Sequence, residues 1–207
     1  MLLLAGCSSA TPQPDGTISG NASGRSAAAD STSRPTTPAS PSRPTSGTSG
    51  AAPSVPVDAA DAVLGRSGTY SVLPPDGWGE ATDAVGAVPG IDLVLMSSQQ
   101  AAGFNTNLVI HVAPGDAALL TTELAKGREE LADLGRTVSE APDVTVGGVR
   151  ATGFSTSFSQ QGVEVVARSY GVHHDSHVYL LTLSSATAAS TQAAADFAEI
   201  LESWTWT

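Results

Sequence analysis

Three of the four histidines, His173, His174 and His177, fall within five residues and flank the turn pair Asp175-Ser176. If that pair closes a two-residue hairpin, His174 and His177 stand opposite each other with side chains about 5 Å apart, near enough to share a metal ion. Two imidazoles are too few, because structural and catalytic centres draw on three or four protein ligands, and neither a Cys nor a second carboxylate adjoins them in sequence. They are weak metal candidates; the favoured reading is solvated histidines at a hairpin tip, with no metal and no cofactor. His111 lies on an alternating apolar stretch and reads as a surface or hydrogen-bonded residue rather than a base. The segment Gly153-Phe154-Ser155-Thr156-Ser157 lacks the second glycine of a nucleophile elbow, so no catalytic residue is assigned. A surface hydrolase, with one of the histidines as base, is the alternative from a different class.

Residues suited to holding a ligand are more promising. Ser97 to Thr106 reads as a polar loop between two buried strands and carries Gln99, Gln100, Phe104 and Asn105. A cavity is expected between this loop, Trp78 and a covering helix, lined by apolar groups with a few amides. Trp78, Phe104, Asn105 and Trp206 are therefore the candidate ligand-binding residues. Trp204 continues a helical stripe and is assigned to packing. Glu129, Glu130 and Asp133 form a solvated acidic helix face, without glycosidase chemistry.

Composition narrows the classes. The 207 residues carry 9 basic and 20 acidic side chains, a formal charge of -11 that repels nucleic-acid backbones. No nucleic-acid partner is expected. The single Cys rules out an internal disulfide framework and every multi-thiolate metal site.

That thiol, Cys7, follows Leu4-Ala5-Gly6, which resembles the bacterial lipobox, and Ser8-Ser9 follow it. The resemblance implies residues 1–7 as the end of a lipoprotein signal peptide and Cys7 as the lipidated residue. The chain as written has no basic n-region and too short an apolar stretch for a secretory signal, so translation is expected to begin upstream. Two or three acyl chains would hold the protein firmly at the outer face of the cytoplasmic membrane. Residues 8–64 are rich in Ser, Thr, Pro and Gly and read as a disordered tether spanning about 40 Å or more. Residues 65–207 form the folded domain, with six basic and sixteen acidic residues.

Within the domain, Asp116 is a plausible N-cap for a helix whose apolar face carries Leu120, Leu124, Leu131 and Leu134, with Gly135 as its stop. Turn pairs Gly147-Gly148, Gln161-Gly162 and Asp175-Ser176 divide an antiparallel meander from Val144 to Ser184. Its pairing sets Val172 against Tyr179 and Tyr170 against Leu181 on one face, with Val163, Val165, Ala167, Val178 and Leu180 on the other. Both faces are apolar, so helices are expected on both sides. Residues 188–203 supply a second helix with Ala193, Phe197, Ile200, Leu201 and Trp204 on one stripe.

The order of these elements resembles the PsbP-like α/β/α sandwich, and within it actinobacterial lipoproteins of the LpqN/LpqT type. The likeness rests on Tyr70-Ser71-Val72 before Pro75-Asp76-Gly77-Trp78, Asn107-Leu108-Val109-Ile110, Val146-Gly147-Gly148-Val149-Arg150-Ala151, Arg168-Ser169-Tyr170, Tyr179-Leu180-Leu181-Thr182, and Phe197 with Ile200-Leu201-Glu202-Ser203-Trp204. It implies an α+β fold, a mainly antiparallel sheet covered by helices on both faces. It also implies a non-enzymatic envelope module that binds a hydrophobic or glycolipid ligand or an envelope protein partner. A pure protein–protein scaffold for a membrane transporter is the remaining alternative.

Overall fold

The computed structural model describes residues 61–86 and 88–207. The lipidation site Cys7 and nearly all of the expected tether lie outside the described residues. Two strands, β1 (Val63–Leu64) and β2 (Tyr70–Val72), pair antiparallel, so strand structure is already present before Gly65. After Pro74-Pro75 a turn through Gly77, at φ 79°, returns the chain as β3 (Trp78–Glu80). A short 3-10 turn at Thr82–Val85 leads into β4 (Ile91–Ala101) and β5 (Phe104–Pro114).

Helix α1 (Ala117–Asp133) opens as its sequence dictates: the Asp116 carboxylate accepts a hydrogen bond from the Leu119 N–H at 2.8 Å. Leu120 and Leu131 are buried, but Leu134 lies beyond the last turn and is exposed, contrary to its expected place on the apolar face. The helix ends before Gly135, at φ 76°. Strands β6 (Thr137–Glu140), β7 (Val144–Val146), β8 (Val149–Gln160), β9 (Val163–His174) and β10 (His177–Ala186) follow. The chain closes with α2 (Ser190–Glu202) and the two-residue β11 (Thr205–Trp206).

The main sheet is antiparallel throughout, in the order β3-β4-β5-β10-β9-β8-β6, with β7 paired to the start of β8. A small second sheet, β1-β2-β11, ties the two ends of the domain together. Three hairpins turn on the dipeptides read from sequence, each with both residues at positive φ, the conformation that matches strand twist. The β9–β10 register pairs Tyr179 with Val172 and Leu181 with Tyr170, as the two-residue turn requires.

Ser97 to Thr106 departs from expectation. It is not a loop: β4 and β5 run on to Gln100–Asn105 and Ala101–Phe104 pairs, closed by Ala102 at φ 53° and Gly103 at φ 82°. Alanine is disfavoured at that first turn position, which hides the hairpin from a residue-type reading.

The core gathers Tyr70, Leu93, Leu95, Leu108, Ile110, Tyr170, Val172, Tyr179 and Leu181 beneath Phe197, Ile200, Leu201 and Trp204. Phe197 stacks on Tyr170 at 5.6 Å between centroids. Next to Tyr170, Gly171 leaves room for α1: a Cβ there would come within 2.5 Å of Leu120. Phe104, Val165 and Ala186 form a smaller cluster of their own.

Candidate functional site

A groove of about 730 Å³ opens between α2 and the β7–β8 hairpin, within the range of small-molecule sites. Ala194 and Ala198, one helical turn apart and both exposed, line it beside Phe197 and Leu201 from α2. Pro142, Val144, Thr145, Gly147 and Gly148 line it from the hairpin side, and Trp204 contributes an aromatic edge. Two side chains of β9 complete it, Arg168 and Tyr170, which share a face of the strand by alternation.

Local sequence builds this space. Small residues in α2 keep its surface back from the hairpin, while Ala193 and Ile200 anchor it in the core and Phe197 and Leu201 are buried at the floor of the groove. Gly147, at φ 52°, brings hairpin backbone against the terminal aromatics; a Cβ there would stand 2.3 Å from Trp206 Nε1. Gly153, opposite Tyr170, likewise admits no Cβ, which would lie 2.7 Å from the Tyr170 ring.

Electrostatically the groove is uneven. Arg168 Nη1 is shut off from solvent, and no hydrogen-bond acceptor lies within reach among the described residues. Burial raises the Tyr170 phenol above its ordinary range; Arg168 pulls it back down and Asp143 pushes it up. Asp143 itself is held by Arg150, whose Nε donates to its carboxylate at 2.7 Å. Glu202 adds one carboxylate to the lining.

The four residues proposed from sequence do not converge on this groove. Trp78 is half-buried and donates from Nε1 to Asp196 Oδ2 at 2.9 Å, which moors β3 to α2. It shares a shallow depression with Asn105, whose amide is already engaged: Oδ1 accepts from Gln100 at 2.9 Å and Nδ2 donates to the Ser97 carbonyl at 3.0 Å. Phe104 is buried in the smaller cluster. Trp206 stacks against His174 at 4.2 Å and donates to the Gly147 carbonyl at 2.9 Å, so it straps the chain end to the hairpin beside the groove.

His174 and His177 are register partners. Their nearest polar contacts are to Asp175, its carboxylate 3.4 Å from His174 Nε2 and its carbonyl 3.0 Å from His177 Nδ1. Among the described residues no three His, Cys, Asp or Glu side chains gather as a metal site, and no histidine is hydrogen-bonded to a serine hydroxyl. Burial lowers the pKa of His111, on β5 beside Ile91 and Leu180.

Sequence reasoning missed Arg168 as a site residue. Its signal is a lone cation in the central, mainly buried stretch of β9, two positions before a tyrosine.

The fold and groove together define a class, an α+β domain with one large antiparallel sheet, two helices and an apolar cleft. No family model matches the sequence, and no curated protein is significantly similar to it. Among solved structures the chain is similar to LpqN of Mycobacterium tuberculosis, described as involved in cell envelope biogenesis, with a TM-score of 0.50 and 19% identity over 67% of this chain and 83% of that one. A protein from Bacteroides thetaiotaomicron also gives 0.50, at 13% identity, over 71% of this chain and 48% of that one. The cyanobacterial PsbP of Synechocystis gives 0.48 at 15% identity, over 77% and 99%. At such identities the likeness to LpqN shows a shared fold.

Proposed function

We propose that the chain is a lipid-anchored accessory protein of the cell envelope, a PsbP-like α/β/α sandwich that binds a hydrophobic or glycolipid ligand without transforming it. The observation that carries this reading is the groove between α2 and the β7–β8 hairpin: apolar walls, exposed alanines where bulkier residues would close it, and a few polar groups to orient a guest. The layered arrangement is supported by the neighbours Tyr170 and Gly171, which meet Phe197 of α2 and Leu120 of α1 respectively. Cell-envelope placement is supported by the fold shared with LpqN and by the lipobox-like Leu4-Ala5-Gly6-Cys7.

Two results test it. Replacing Cys7 with Ala should move the protein from the membrane fraction to the soluble fraction, and an unchanged distribution refutes the anchor. Organic extraction of the protein purified from membranes should release lipid. If instead no lipid is extracted and crosslinking captures one membrane protein, the domain is a partner-binding module.

A further inference from the structure

We infer that the guest of this groove is a singly charged anionic amphiphile whose carboxylate or phosphodiester head pairs with Arg168. The inference rests on reading the groove as a ligand site and adds the chemistry of the guest. Residues 65–207 hold six cations among sixteen carboxylates. Four of the six are paired: Arg66 with Asp83, Lys126 with Glu130, Arg128 with Glu140 and Arg150 with Asp143. Arg136, whose Nη1 is likewise buried without an acceptor among the described residues, lies over the Phe158 ring, 3.9 Å from its centroid, and does not line the groove.

Arg168 alone lines the groove. In so acidic a domain a guanidinium with a solvent-excluded nitrogen and no acceptor is a costly arrangement, and a carboxylate or phosphate fits its planar fork. Phe197 and Leu201 offer the chain of such a guest an apolar bed, and Glu202 in the lining disfavours a second negative charge. The geometry therefore asks for one charge at one end and hydrocarbon at the other.

The test is calorimetric titration of the purified full chain with three single-chain probes of equal length, each below its aggregation concentration: laurate, lauroyl lysophosphatidylglycerol and uncharged dodecanol. The expected result is that an anionic probe binds at least about tenfold more tightly than dodecanol, the difference a charge-assisted pair supplies. Whichever anionic probe is tighter identifies a free fatty acid or a phospholipid head as the source. Arg168→Gln should bring the anions to the affinity of dodecanol and leave dodecanol unchanged, whereas Arg136→Gln should alter none of the three. If dodecanol binds the parent as tightly as the anions, or Arg168→Gln keeps the preference, the anion inference is overturned while the apolar groove stands. If none of the three binds, the groove reading falls and this inference falls with it. Comparing anions with alcohol on the parent decides the matter even if Arg168→Gln fails to fold.

Discussion

The rings of Tyr70 and Trp204 lie 4.2 Å apart and 8° from parallel, stacking an early strand of the domain on a residue just past helix α2. Trp204 also meets the edges of Tyr179 and Trp206, so one side chain joins β2 and β11 to the main sheet. Trp204→Ala should cost about 3–5 kcal/mol of stability by urea denaturation, the range for deleting a large buried aromatic. A loss below about 1 kcal/mol would mean that the stack contributes little.

Tyr70→Phe should behave in the opposite way. The buried Tyr70 hydroxyl makes no well-formed hydrogen bond among the described residues, and burial first, then the charge and weak hydrogen bonding of the Asp92 carboxylate, hold the phenol far above its ordinary pKa. Removing an unsatisfied buried hydroxyl should leave stability unchanged or raise it by about 1 kcal/mol. A clear loss in the same denaturation assay would reveal a hydrogen bond that the variant had broken.

Gly147→Ala places a Cβ on a residue at positive φ and drives it into Trp206. The cost should be about 1–3 kcal/mol, with a change in tryptophan fluorescence as the Trp206 hydrogen bond to the hairpin is disturbed. A side chain at the neighbouring Gly148 would meet no atom within 4 Å of its Cβ, and the residue also lies at positive φ, so Gly148→Asn should be nearly neutral. Equal effects at the two positions would contradict this packing.

Stability should depend on pH through His111. Burial lowers its pKa below the ordinary 6.5, so the unfolded chain takes up a proton before the folded one does. Unfolding free energy is unaffected by this group above about pH 7, falls as pH drops through 6.5, and levels off once the folded-state pKa has been passed. His111→Gln should remove that component of the slope in unfolding free energy measured from pH 7.5 to 5. An identical slope in the variant would show that His111 titrates alike in both states.

Much of the fold was legible because its signals are local. Asp116 capped the helix it precedes, and Gly147-Gly148, Gln161-Gly162 and Asp175-Ser176 set the hairpins and, through side-chain alternation, the register of Tyr170 and Val172. The β4–β5 hairpin was concealed by Ala102, which takes a conformation its type disfavours, and β6 by its polar, exposed residues. The groove was less legible. Whether Arg168 has a partner depends on which carboxylates reach it in space, and Phe104 is buried through contacts with Val165 and Ala186, some sixty to eighty residues away in sequence. Trp78 and Trp206 had the right chemistry for a ligand, but Asp196, His174 and the Gly147 carbonyl engage them within the protein.

The central claim, that the cleft beside α2 holds an apolar guest, is tested most directly by native mass spectrometry of the membrane-purified protein beside its Ala198→Trp variant. Ala198 is exposed in the groove wall, so a tryptophan there fills the cleft without entering the core. The account predicts a noncovalent lipid adduct, over and above the acyl groups on Cys7, on the parent and none on the variant, with both unfolding at the same urea concentration. An adduct retained in full by Ala198→Trp, or a parent that carries none, would contradict it.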